Sequence, residues 1–163
     1  MLLAGQKESG IYTISPDGQQ EFDVYCDPRT QGGSWSVFQK RFDGTVDFFE
    51  DWKSYTDGFG NLENEFWLGF NKIYRLTSGI RNVLRIDLGD FKNASSYAEY
   101  DLFKVLNEDN SYELQLGNFT GTKWFPLLVW AGGERKAKVR SLLIKRSCLA
   151  LARKNPGPIA QGK

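Results

Sequence analysis

Histidine is absent from this chain, and cysteine occurs twice, at Cys26 and Cys148. The missing imidazole removes the commonest general base, the commonest metal ligand and the partner of a serine or cysteine nucleophile. Any bond-breaking chemistry would have to rest on carboxylates or lysine. Acid pairs can be drawn from nearly any of the acids in the first part of the chain, and spacing alone selects none of them. The chain therefore offers no catalytic residue and reads as non-enzymatic. Long hydrophobic runs are missing too. The longest, "WFPLLVW" at residues 124–130, falls far short of the roughly 20 apolar residues that cross a bilayer. The opening "MLLAGQKESG" has a brief apolar run and no cleavage-site pattern, so no signal peptide is expected in the chain as written.

Acidic residues almost stop at one point. Residues 1–122 hold 11 Lys and Arg against 19 Asp and Glu, a balance of −8, whereas residues 123–163 hold 10 against the single Glu134, a balance of +9. The overall +1 hides two pieces of different composition. A recognition fold for nucleic acid does not accompany the basic piece, which excludes that partner class from the reading.

Aromatic residues, by contrast, make up 15% of the chain, and 17 glycines punctuate it. Many rings between many tight turns point to short strands and an α+β fold in one domain. In "EFDVYCD" (residues 21–27), Phe22, Val24 and Cys26 alternate with Asp23, Tyr25 and Asp27, the period of a half-buried strand. "GIYTIS" before it and "WSVFQKRF" after it complete a meander, with "SPDGQ" and "PRTQGG" as the turns and Asp43-Gly44 closing the third strand. "DFFEDWKSY" predicts a short helix capped by Asp47, and two further helical pieces are expected near residues 63–68 and 71–77. "NVLRIDL", "AEYDLFKV" and "SYELQLG" return to strands. In the basic piece, "ERKAKVRSLLIKRSCLALARK" predicts a helix with Leu142, Leu143, Leu149 and Leu151 as its apolar positions, or a disordered extension.

Eight blocks stand in order along residues 3–122: "SGIYTISPDG", "FDVYCD", "GGSWSVFQKRFDGTVDF", "WKSYTDGFGNLENEFWLGF", "IYRLT", "LRIDLGDF", "AEYDLFKV" and "YELQLGNFTGT". In this order and spacing they closely resemble the fibrinogen-like C-terminal domain shared by fibrinogen chains, ficolins, tenascins, angiopoietins and invertebrate lectin-like proteins. The resemblance implies antiparallel sheets with short helices, incomplete here: residues 1–122 as a partial domain, then residues 123–163 as an atypical basic tail of unrelated origin. It also implies a secreted, disulfide-bonded, extracellular recognition or adhesion module of innate immunity or matrix that binds glycans, acetyl groups or proteins. Complete members hold calcium. After Thr122 none of the family's calcium, second-disulfide or ligand-pocket motifs follows, so no metal or ligand residue carries over, no cofactor is expected, and ligand binding is expected to be deficient. Where the family has Asn after "WLG" this chain has Phe70, with Asn71 one place later.

Few single residues remain as candidate sites. Cys26 is a disulfide candidate; the family's partner cysteine would precede Met1, leaving Cys148, another chain, or a reduced thiol. Asn93 and Asn118 head N-glycosylation sequons, Asn93-Ala94-Ser95 and Asn118-Phe119-Thr120. Asp87 with Asp90, or Glu108 with Asp109, supply too few oxygens for calcium and read as surface or turn acids. Trp35, Phe38, Phe42, Phe48, Phe49, Trp52, Phe66 and Trp67 fall at strand and helix periods and read as core rather than as a sugar platform. The alternative function is a polyanion or membrane-surface binder acting through the basic tail. Strand edges left without neighbours, at "NVLRIDL" and "YELQLG", are expected to promote pairing with another chain.

Overall fold

The computed structural model describes residues 8–89, 95–121, 138–145 and 152–154. β1 (Gly10–Ile14), β2 (Phe22–Asp27) and β3 (Trp35–Lys40) form the expected antiparallel meander, with Tyr12 opposite Val24 and Tyr25 opposite Val37. The two-residue period decides which side faces inward: Phe22, Val24 and Cys26 are buried, while Asp23 is exposed.

Two helices follow, packed on each other. α1 (Trp52–Asp57) starts where the Asp51 carboxylate accepts the Ser54 backbone N–H at 2.7 Å. The cap is thus Asp51 rather than Asp47, which instead accepts the Phe49 N–H at 2.8 Å in a turn of its own. α2 (Phe70–Thr77) buries Ile73, Leu76 and Thr77. The Thr77 hydroxyl donates to the Ile73 carbonyl at 3.0 Å and accepts the Val105 N–H at 3.1 Å, stitching this helix to the sheet. Gly69 precedes α2 at φ +102°, and a Cβ there would lie 2.6 Å from the Asp57 carbonyl carbon, so the close crossing of the two helices admits no side chain.

The helix expected near residues 63–68 is not formed. β5 (Phe66–Trp67) pairs instead with β4 (Phe59–Gly60) and with β3, Gln39 opposite Trp67 and Lys40 opposite Phe66. Both rings are buried, and only an extended backbone sends adjacent side chains to opposite faces.

β6 (Asn82–Gly89), β7 (Ser95–Val105), β8 (Leu114–Leu116) and β9 (Phe119–Gly121) continue the sheet, with one 3-10 turn at Glu108–Asn110. β10 (Lys138–Lys145) and β11 (Ala152–Lys154) correct the helical or disordered expectation for their part of the basic piece. The order is β11-β1-β2-β3-β10-β6-β7-β8, with β9 beside β8 on β7. β10 lies between β3 and β6, Leu143 facing Val37 on one side and Arg85 on the other, and Leu143 is fully buried. A strand there satisfies the backbone groups of both neighbours, which a helix in the same residues would leave without ladder partners. β6 therefore has neighbours on both sides, contrary to the expected open edge, whereas β8 stands at the end of the order as expected.

Candidate functional site

Glu65 holds the loop that follows β3. Its side chain is 1% exposed. One carboxylate oxygen accepts the backbone N–H groups of Phe42 at 2.6 Å and Gly44 at 2.9 Å, and the other accepts that of Val46 at 3.0 Å. Burial pushes the carboxyl up, but these three N–H groups and the Arg41 guanidinium, 3.8 Å away, overcome it and hold Glu65 below its ordinary value. The loop after β3 is thereby fixed from beneath, with Gly44 at φ +81° at its tip. On this clamped backbone the Phe42 ring stands exposed.

Phe42 is 70% exposed, Phe49 94% and Trp52 57%. The sequence reading placed all eight rings of its set in the core, and these three are corrected. Trp35, Phe38, Phe66 and Trp67 are buried as expected, and Phe48 is half-buried against Phe59. Trp52 keeps one flank on the interior: its ring lies 5.7 Å from Phe70 and 6.0 Å from Tyr112, which stack on each other at 5.1 Å. Phe70 thus has a place in this cluster, and Asn71 accepts the Tyr112 hydroxyl at 2.5 Å, so the shifted asparagine does make a bond.

Between Phe42 and Trp52 the chain carries Asp43, Asp47, Glu50 and Asp51 and no basic residue, and all four acids are exposed. The Thr45 hydroxyl and N–H lower the Asp43 carboxyl, and the Ser54 N–H lowers that of Asp51. Asp43 and Asp51 therefore stay anionic into mild acid.

Other rings at the margin of this molecule are covered by cations of the same chain. The Arg41 guanidinium sits 3.9 Å over Phe48, Arg75 4.8 Å over Phe22, Arg85 4.3 Å over Tyr97, and the Lys40 ammonium 5.2 Å over Tyr25. Among the described residues no Lys or Arg covers Phe42, Phe49 or Trp52. Uncapped rings set among carboxylates can bind a cation carried by something else. A sequence signal for the clamp existed in "NEFW", an acid set directly before two buried rings, but its partners lie about 20 residues away in the chain.

The remaining candidates are scattered. Cys26 is buried at 1% exposure, opposite Gly10 and Ser36 in the sheet. Asn118 is exposed, whereas Asn93, Cys148 and Asp90 lie outside the described residues. Asp87 is paired with Arg85 at 2.8 Å, and burial raises its carboxyl; Glu108 and Asp109 begin the 3-10 turn. Among the described residues no three acids or cysteines gather as a metal cluster would require. A shallow cleft of about 250 Å³ lies beside Trp67 and Lys72. Its ammonium is already engaged, donating to the Asp57 carbonyl at 3.0 Å and the Leu68 carbonyl at 3.4 Å.

Comparison with known proteins gives the fold its place. The model of the C-terminal globular domain of fibrinogen beta and gamma chains matches residues 1–134, running past Thr122. The chain is 44% identical over 146 residues to human fibrinogen C domain-containing protein 1, covering 86% of this chain and 32% of that one. It is 48% identical over 141 residues to chicken tenascin-R, covering 85% of this chain and 10% of that one. The fibrinogen-like globe domain of human ANGPTL2 superposes with a TM-score of 0.71 at 38% identity, covering 72% of this chain and 55% of that one. The chain thus spans about a third of the length of the fibrinogen C domain-containing relative and about half of the solved globe. It belongs to the family of fibrinogen C-terminal globular domains.

Proposed function

We propose that this family member is a non-enzymatic extracellular recognition module whose contact surface is the acidic aromatic face of Phe42, Phe49 and Trp52. Members of the family are extracellular, and relatives such as tenascin-R belong to the matrix. Among the described residues no helix is long and apolar enough to cross a membrane. The observation that carries the reading is the contrast in capping: four rings at the margin hold a cation from their own chain, and among the described residues these three, in a stretch that carries four exposed acids, hold none. The partner is accordingly a protein surface presenting Lys or Arg beside apolar groups, since rings and carboxylates together attract a cation and cover its stem.

A sugar or acetyl ligand is the weaker assignment, because residues 123–163 contain none of the calcium or pocket motifs through which complete members bind such groups; the chain is proposed to be deficient in that activity. Tail-mediated polyanion binding also loses ground, since part of the basic piece is spent as a central strand.

Immobilised peptide of alternating Lys and Phe serves as the probe. The full chain should be retained at low salt and released as salt rises, and a Phe42→Ala/Phe49→Ala chain should bind roughly tenfold more weakly. Equal retention of both chains overturns the assignment to this face. Retention on heparin, with none on the cationic peptide, would favour the tail, and a calcium-dependent response on a glycan array would restore the sugar reading.

A further inference from the structure

Among the described residues the sheet ends on one side in a row that lacks the usual guards. β8 and β9 both pair with β7, Leu114 to Leu116 against Val105 to Phe103 and Phe119 to Gly121 against Tyr100 to Ala98, and among the described residues no strand lies beyond them. The Leu106 N–H donates to the Glu113 carbonyl and the Gly117 N–H to the Leu102 carbonyl, each at 2.9 Å. By the alternation of an antiparallel ladder, the peptide groups of Leu114 and Leu116 point away from β7, towards whatever approaches the edge.

Natural edges are blunted by charge, proline or a twist that spoils pairing. Residues 114–121 read "LQLGNFTG", without a charge or a proline, and Leu114 is 40% exposed. What the row does contain, at its midpoint, is a sequon. Asn118 sits in the step between β8 and β9, its backbone fastened to β7: its N–H donates to the Asp101 carboxylate at 2.7 Å and its carbonyl accepts the Asp101 N–H at 3.0 Å. The side chain is exposed, and its amide nitrogen makes only a long 3.5 Å contact with Asp101, whose own side chain is 46% exposed. A rigid backbone thus presents a loosely held amide beside Thr120.

We propose that Asn118 is N-glycosylated and that its glycan guards this edge against antiparallel pairing with a second copy of the chain. The inference rests on the extracellular reading, since the donor is a polyprenyl-pyrophosphate oligosaccharide of the secretory pathway. The Asn118 nitrogen bonds to the sugar's anomeric carbon and loses a proton to base. The bond from that carbon to the pyrophosphate oxygen breaks, and the lipid pyrophosphate leaves with the electron pair. A second strand would have to settle about 4.8 Å from β8 to pair with it, and a hydrated glycan rooted in the row denies that approach.

The full chain, led into the secretory pathway of cultured cells by an added leader so that the site is tested apart from the natural location, is treated with peptide N-glycosidase in heavy-oxygen water and mapped. Asn118 is expected to carry the heavy-oxygen label; an unlabelled Asn118 overturns the proposal. Light scattering then compares the glycosylated chain with Asn118→Gln and with Thr120→Ala, both expected to self-associate roughly tenfold more tightly. Unchanged association in both overturns the guarding role. To separate edge pairing from misfolding, a Leu114→Lys/Thr120→Ala chain is added, with the charge at the exposed Leu114. A charge at the edge should return it to monomer, and continued association there also counts against the proposal.

Discussion

Phe38 and Phe42 stand four residues apart in one stretch of chain, yet the first is 3% exposed and the second 70%. Phe38 lies between Trp67, edge-on at 5.9 Å, and Phe103, stacked at 5.4 Å, in a packed seam of the core. Phe42 lies just past the end of β3, on backbone that Glu65 pulls down while the ring is sent out. The difference teaches that ring content alone does not place a ring: what separates a packed ring from an exposed one is where the backbone hydrogen bonds go. The comparison breaks first at its buried end. Phe38→Ala should cost about 4 kcal/mol, the burial of the ring plus the cavity it leaves, read as a fall in the chemical-denaturation midpoint. A cost near that of a surface change would mean the seam is not packed as described.

Glu65 is the hinge of the contrast, and its removal should be the next largest effect. Glu65→Ala leaves three N–H groups without their carboxylate, at a cost of about 2–3 kcal/mol. It should also abolish hydrogen-exchange protection at Phe42, Gly44 and Val46. The pH dependence follows from the lowered carboxyl. A group held below its unfolded value contributes stability that is fully present above that value and is lost as pH falls through the folded one. Protection of those three amides should therefore decline on acidification below the ordinary glutamate value of 4.5. Unaltered exchange in the variant would show that the loop is held by something other than Glu65.

Much of the fold was legible because it is written locally. The alternation of Phe22, Val24 and Cys26 announces β2, and Ile73 with Leu76 and Thr77 announces the buried side of α2. The basic strand β10 was not legible. Its Leu142-Leu143 pair fits a helix as well as a strand, and the choice is made by β3 and β6, whose facing backbone groups are distant in sequence. The outward rings were hidden for the same reason. Phe42 continues the strand-like period of β3, and the carboxylate that ends that period comes from 23 residues further on. Phe49 and Trp52 sit three apart, as on a helix face, but α1 begins only at Trp52.

A third kind of ring sharpens the contrast between in and out. Phe22 lies at the margin, 9% exposed, beneath the Arg75 guanidinium, which donates to both oxygens of Asp17 at 2.8 and 2.6 Å and to the Gln20 carbonyl at 2.8 Å. That bond holds the Asp17 carboxyl down at about 2. Asp17→Asn should cost about 1 kcal/mol at neutral pH, a fall of about 3 °C in Tm for a chain of this size. The pair's contribution is complete above the unfolded value of 3.8 and is lost as pH falls through about 2. The two chains should thus converge in Tm over that interval; a gap that persists below it would assign the loss to something other than the ion pair.

The smallest expected effect carries the most weight for function. Phe49, at 94% exposure, has no packing to lose, so Phe49→Ala should change stability by no more than about 0.5 kcal/mol in either direction. An aromatic ring that contributes nothing to the fold is still a liability in water, where it invites association, unless a partner covers it. Phe49→Ala should consequently raise solubility while weakening retention on the cationic probe, two readouts that a merely structural residue would not move in opposite directions. Were the variant destabilised by the amount expected of Phe38, the ring would be packed in solution and the face would lose its central member. Were both stability and retention unchanged, recognition would rest on Phe42 and Trp52, and the same pair of measurements on Phe42→Ala, whose backbone Glu65 clamps in either variant, would decide between them.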